Sequence, residues 1–405
     1  MSTSLRFLLH RLTLLRVTLL TLPFVSAFAQ PVFRGLGPDT TRAFDVSTGG
    51  VVVGYGRVGL TAARQAFAWS ATNGLSPLGG NVPWYQSTVA TSLSRDGAVI
   101  VGQDGDHAFR WTSADGRVSL GIPAGSAQSA ATGVSRDGAV VVGSGYSADS
   151  GRGAAFRWTA DGLQPLGVLP GTQSSFATGV SGDGAVVVGY GGSFDLEAFR
   201  WTERDGMVGL GSIRGAPITY SYAQGISEDG GTIIGLSASP HGYEAFRWTE
   251  AGGMVGLDPD GAAPTAATAC SADGGLIIGN WLGPIEAEDA FVWSARSGIR
   301  SLVDVMTRDY HLGRQLAGWT NLGAYAMSDD GRYIAGTGYF DSVPQAWLLD
   351  RGAHPPPLDG GGLVPVPEPS TYGWLAAGLG AAVVLLRLRR VRHASGARTG
   401  VSPGR

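Results

Sequence analysis

The stretch ATGVSRDGAVVVGSGYSADSGRGAAFRWTADGLQPLG, Ala131–Gly167, holds four short β-forming runs: ATGVS, VVVG, AFRW and LQPLG. Turn signals separate them. Asp-Gly between two β-rich runs is a strong hairpin signal, because the favoured tight turn needs positive φ at its centre. In AFRWT the Phe and Trp alternate with the Arg, so a strand puts both rings on one face and the guanidinium on the other. No helical period appears in the unit.

The unit recurs. AFRWT is spelled four times, at Ala108–Thr112, Ala155–Thr159, Ala198–Thr202 and Ala245–Thr249. The AFxW tryptophans, Trp69, Trp111, Trp158, Trp201, Trp248 and Trp293, lie 42, 47, 43, 47 and 45 residues apart, and QAWLL at Gln345–Leu349 reads as a degenerate seventh copy. A Ser-x-Asp-Gly motif keeps step, with aspartates Asp96, Asp137, Asp183, Asp229, Asp273 and Asp330 and a weaker copy at Ser47–Gly50. Each copy precedes a β-branched run that closes on Gly.

Four strands in such a period are the signature of a β-propeller, in which stacked blades bury faces that no single blade covers. An open solenoid and an array of sandwiches are the alternatives. The frame of the repeat separates them. The last unit stops after QAWLLD and lacks its fourth strand, and VFRGLG at Val32–Gly37 reads as a lone fourth strand. Joined, they close a seventh blade and remove the sheet edges an open array leaves exposed. The expected fold is all-β: a seven-bladed propeller of four-stranded antiparallel blades over 30–350, closed by the N-terminal strand. An N-terminal signal helix and a C-terminal transmembrane helix flank it.

The two ends read as addresses. Residues 1–29 combine arginines with an apolar run and end in Ala27-Phe28-Ala29, a small-x-small cleavage site, so they read as a signal peptide. Residues 351–366 form a Pro/Gly-rich linker. Pro367-Glu368-Pro369 follows, then the apolar Tyr372–Leu388, then Arg389, Arg390 and Arg392. That span has the minimum length for a membrane-crossing helix, and the arginines hold residues 393–405 in the cytoplasm.

Residues 367–392 resemble the PEP-CTERM sorting domain. The resemblance implies an exosortase-type processing partner, transient anchoring in the inner membrane, and delivery to the cell surface or extracellular matrix. The AFRW, SxDG and VVVG pattern resembles the HAF family of extracellular repeat proteins over nearly all of residues 30–350. That resemblance implies export and repetition, and little biochemistry. The chain departs from it at Ser301–Gly323, a long insertion whose first part reads as a helical turn or two.

Composition narrows the chemistry. All 29 basic residues are Arg, which excludes a lysine base, Schiff base or phosphate anchor. The single Cys excludes an intramolecular disulfide framework. Residues 30–366 hold 20 Arg against 31 Asp and Glu, a net charge of −11, which disfavours nucleic acid and anionic membranes as partners. No metal-ligand spacing, GxSxG or GxGxxG with a following helix occurs, so no catalytic residue, metal or cofactor is assigned. The repeated aspartates read as turn formers rather than calcium ligands. The AFRW arginines read as surface groups paired with acids such as Glu197 and Glu244. Cys270 reads as a small buried residue.

The variable loops, between the second and third strands and between blades, share one face of such a propeller. They hold Trp84, Tyr85, Phe176, Tyr220, Tyr222, Trp281, Glu286, Glu288, His311 and Trp319, together with Asp104, Asp106, Asp195 and Tyr310. Rings beside carboxylates suit sugar, since rings stack on pyranose faces and acids accept hydroxyl hydrogen bonds. Core packing is the alternative for each ring. The expected function is a surface or matrix binding module, with polysaccharide as a possible ligand. A glycan-active enzyme using Glu286, Glu288 and Asp289, or a purely structural matrix protein, are the alternatives.

Overall fold

The computed structural model describes residues 30–37, 41–58, 64–78, 87–192, 195–258, 261, 263–283 and 289–352. The signal segment with Ala27 and Ala29, the linker from residue 353, and the sorting segment with Pro367, Glu368 and Pro369 lie outside them. No helix among the described residues is long and apolar enough to cross a membrane, and the expected span 372–388 lies outside them too.

Seven four-stranded antiparallel sheets form the propeller. In the third blade the strands run Gln128–Val134, Val141–Tyr146, Gly153–Thr159 and Gly162–Pro165, from the axis outward. The seventh blade takes Trp319–Met327, Tyr333–Phe340 and Val343–Asp350 from the end of the propeller sequence and Val32–Gly35 from its start. Val32 lies opposite Asp350 and Gly35 opposite Trp347. The amide of Leu36 extends the seam by donating to Ala346 O at 2.9 Å, and Phe33 N donates to Gln315 Oε1 at 2.7 Å. The insertion forms the expected helical turns, Leu302–Asp304 and Val305–Asp309, and packs Leu302, Val305 and Met306 against Phe33 and Trp347.

One apolar cluster fills each of the seven gaps between blades. The third strand supplies both sides of the gap. In Ala-Phe-Arg-Trp the Phe points to the preceding blade and the Ala to the next, so a ring always meets a small residue. Phe67, Phe156, Phe199, Phe246 and Phe291 are fully buried, whereas Trp111, Trp158, Trp248 and Trp293 keep part of their surface in solvent. The Phe is therefore the deeper wedge, worth roughly 1.5–3 kcal/mol by burial. In the seventh blade the register places Trp347, opposite Gly336, in this Phe position, and Leu349 in the Trp position.

A second rule shapes the inner strands. Each carries a bulge after a buried Ala: after Ala131 in blade three and Ala177 in blade four, for example. The bulge turns a carbonyl onto the glycine that ends the neighbouring VVVG run. A Cβ at Gly54, Gly102, Gly189 or Gly336 would collide with the carbonyl oxygen of Arg42, Val89, Phe176 or Gly323. That close approach is why every β-branched run ends in Gly.

The Ser-x-Asp-Gly turns follow one plan. In the fourth blade Ser181 Oγ donates to Asp183 Oδ1 at 2.6 Å and accepts from Val186 N at 2.9 Å, while Asp183 Oδ1 accepts from Ala185 N at 3.0 Å. Gly184 has φ +73°. Asp96, Asp137, Asp229, Asp273 and Asp330 make the same bonds. Arg110, Arg157 and Arg247 differ from the sequence expectation. Their Nε groups donate to the turn-glycine carbonyls of the next blade, Gly138, Gly184 and Gly274, at 3.2, 3.3 and 3.4 Å. Glu197 and Glu244 instead accept the loop amides of Gly211 and Asp258, at 3.0 and 2.9 Å. A carbonyl fixed by a tight turn offers the guanidinium a partner already in place, where a flexible acid would have to be ordered.

Candidate functional site

Because each blade is a meander, the Ser-x-Asp-Gly turns open on one side of the disc and the variable loops on the other. The axial channel runs between these sides. The bulged residue of each inner strand lines it: Phe44, Thr91, Thr132, Thr178, Gln224, Thr268 and Tyr325. The threonines stitch blades together. Thr91 Oγ1 donates to Ala131 O at 2.8 Å, Thr132 to Ala177 O at 2.9 Å, Thr178 to Ala223 O at 2.9 Å and Thr268 to Ala324 O at 2.8 Å.

On the turn side the channel has a floor. Backbone hydrogen bonds link neighbouring turns around it: Arg95 N donates to Arg136 O, Arg136 N to Gly182 O and Gly182 N to Glu228 O, at 3.2, 3.1 and 2.8 Å. Across it, Glu228 pairs with Arg95 and with Arg136 at 2.9 Å each, and Asp329 lies 3.9 Å from Arg95. Burial pushes the Asp329 carboxyl up to about 6, aided by the negative charge of Glu228 and opposed by Arg95. Half-buried Asp45, beside the floor, is likewise pushed up to about 6 by desolvation, against the hydrogen bonds it accepts from Leu93 N, Ser92 Oγ and Val46 N.

On the loop side the channel widens into a mouth of about 480 Å³. From it a band of rings crosses blades five, four and three. Tyr222 stacks on Tyr190 with ring centres 4.2 Å apart, Tyr190 on Phe176 at 5.0 Å, and Phe176 on Tyr146 at 5.6 Å. Phe176 and Tyr190 are direct cross-strand partners. Burial raises the pKa of Tyr146, Tyr190 and Tyr222, so the hydroxyls remain protonated donors at neutral pH. Tyr220 lies nearby, edge-on to Tyr243 at 5.2 Å.

The structure thus brings together Phe176, Tyr220 and Tyr222 of the expected ligand residues. Trp281 and Trp319 go elsewhere: Trp281 packs edge-on to Phe291 in a blade gap, and Trp319 edge-on to Phe33 at the seam. His311 is exposed on the insertion, and Tyr310 is buried, its hydroxyl accepting from Arg351 Nε at 2.9 Å. Asp104 pairs with Arg117 at 2.9 Å, while Asp106, Asp195 and Asp289 are exposed. Trp84, Tyr85, Glu286 and Glu288 lie outside the described residues. Cys270 sits beside the channel, where burial pushes its thiol up to about 12. Sequence reading missed Tyr146, Tyr190, Phe44, Gln224 and Tyr325. The Gly-Tyr pair closing the VVVG run at Tyr55 and Tyr190 was a usable signal, since a residue just past that Gly flanks the inner strand.

Residues 365–390 match the PEP-CTERM protein-sorting motif. The motif implies an exported protein that exosortase-type machinery recognises through a C-terminal, membrane-anchoring sorting signal. No curated protein sequence matches the chain. Solved structures share the fold. An oligogalacturonate lyase from Vibrio parahaemolyticus is 10% identical, with 80% of this chain and 98% of that one covered and a TM-score of 0.51. A prolyl endopeptidase structure is 13% identical, covering 77% of this chain and 50% of that one with a TM-score of 0.52. TolB from Acinetobacter baumannii is 11% identical at a TM-score of 0.41, and the chain spans 61% of its length, matching over 66% of its own. At these identities the likeness extends to the fold alone.

Proposed function

We propose that this exported propeller is a binding module that holds polysaccharide across its loop-side face. The observation that carries the reading is the continuous band Tyr146–Phe176–Tyr190–Tyr222, which ends at the channel mouth. Ring edges and protonated hydroxyls along one line suit a chain of repeated sugar units, which offers apolar C–H patches and hydroxyls in alternation. The sorting motif supports a place at the cell surface or in the extracellular matrix, reached after transient membrane anchoring through 372–388. The repeat pattern fits the HAF type of extracellular protein.

The test is retention of the full chain, kept in a detergent without sugar headgroups, on a panel of bacterial polysaccharides. Retention that falls about ten-fold in Tyr190→Ala and Phe176→Ala, with unchanged melting of the disc, is the expected result. Equal retention by both variants refutes the reading. Release of new reducing ends from a retained polymer would favour the enzyme alternative.

A further inference from the structure

We infer that the channel mouth is an end-binding subsite that takes the terminal residue of an uncharged glycan, read by Gln224. This rests on the polysaccharide reading above and specifies which part of the chain is held.

The argument starts from the bulge position. Four blades place Thr there, and each hydroxyl is tied to the next blade's carbonyl. Blade five places Gln224 instead. Its side chain is exposed to the channel, and its carboxamide makes no hydrogen bond to the described residues. The blade gives up a stitch worth about 1 kcal/mol and presents a free donor and acceptor to the cavity. A carboxamide that both donates and accepts matches a pair of neighbouring sugar hydroxyls.

The surroundings set the class of ligand. Phe44, 36% exposed, and Tyr325 line the mouth from blades one and seven, across from Gln224. Among the described residues, no carboxylate or guanidinium lines it. The floor below holds three carboxylates, Asp45, Glu228 and Asp329, against two guanidiniums, Arg95 and Arg136. That excess of negative charge disfavours a uronate or phosphate. The cavity volume of about 480 Å³ falls inside the roughly 300–1,000 Å³ typical of small-ligand sites.

The floor decides which part of a chain can enter. Arg95, Glu228 and Arg136 close the turn side, so a polymer cannot thread through the disc. Tyr222 belongs both to the mouth and to the aromatic band. A glycan lying along the band therefore runs into the mouth with its end.

The test uses the full chain with dextran, levan and laminarin as neutral probes and polygalacturonate and alginate as anionic ones. Each is presented intact and after partial acid hydrolysis, and protein bound per gram is measured. End-binding predicts capture of a neutral probe, with capacity roughly doubling when mean chain length is halved. It also predicts about ten-fold weaker binding by Gln224→Thr, a variant that restores the residue of four other blades. Capacity independent of chain length, equal binding by Gln224→Thr, or preference for the anionic probes overturns the inference while leaving the aromatic face standing. Capture of no probe overturns both.

Discussion

Phe33, from the first strand of the disc, stands edge-on to Trp319, from the innermost strand of the seventh blade, with ring centres 5.3 Å apart and planes at 89°. It also leans on Trp347 at 5.5 Å and is 4% exposed. One ring from the start of the propeller sequence thus fills the gap between elements from its end.

Phe33→Ala should therefore cost about 3–5 kcal/mol, the range for deleting a buried aromatic ring. Urea melts of the full chain measure it. A loss under about 1 kcal/mol would mean that the seam adds little to the ring.

Acidity should move stability in two directions. Asp45 and Asp329, both near 6 when folded, have unfolded values near 3.9. Between about pH 4 and 6 the folded state then binds more protons than the unfolded, so their contribution to stability is greatest at the low end and is lost as pH rises. Asp96, Asp137, Asp183 and Asp273 are held low by the turn hydroxyls and amides, so their contribution is present at higher pH and is lost below about pH 4. Stability should peak between, at about pH 4–5. Asp45→Asn should shrink the decline from pH 4 to 6 by up to about 3 kcal/mol. An unaltered slope rules out the role given to this carboxyl.

In the Ser-x-Asp-Gly turns the serine should matter more than the aspartate. Ser181 is 1% exposed, and its loss leaves the buried amide of Val186 without an acceptor. Ser181→Ala should cost about 1–3 kcal/mol, and Asp183→Ala, whose amide partner is exposed, less than about 1. Paired thermal melts decide the order, and a larger loss in the aspartate variant would reverse the argument.

Gly153 has a role that only the ring above it explains. A methyl group there would collide with the side chain of Phe176. Gly153→Ala should lower stability by about 1–3 kcal/mol and weaken polysaccharide retention in parallel with Phe176→Ala. Full retention with a displaced ring would show that the band is not the contact surface.

The blade number and the closure were readable because the repeat period and the broken frame at its two ends are properties of sequence order. The position of Trp347 was not. Matching QAWLL by its Trp aligns it with Trp69, but the strand aligns by the approach of Gly336, which places Trp347 level with Phe67. The aromatic band was half legible. Phe176 and Tyr222, expected on the variable loops, stand at the starts of first strands, and Tyr146 and Tyr190, at the ends of second strands, gave no loop signal. Gln224 carried no signal at all, because only the bulge turns that residue toward the axis while its Ala223 neighbour stays buried.

The seam also orders events in time. Six blades are each made from one continuous segment and are ready as soon as that segment exists. The seventh cannot form until Val343–Asp350 has been made, long after Val32–Gly35. Until then Val32–Gly35 lacks its partner, and the face of the first blade that carries Phe67 has nothing to lean on. A nascent chain halted anywhere before Val343 stays an arc with two adhesive ends, recognisable to any protease that senses unfinished sheets. Ring closure is in this sense a proofreading step: it certifies that everything from Val32 to Asp350 has arrived.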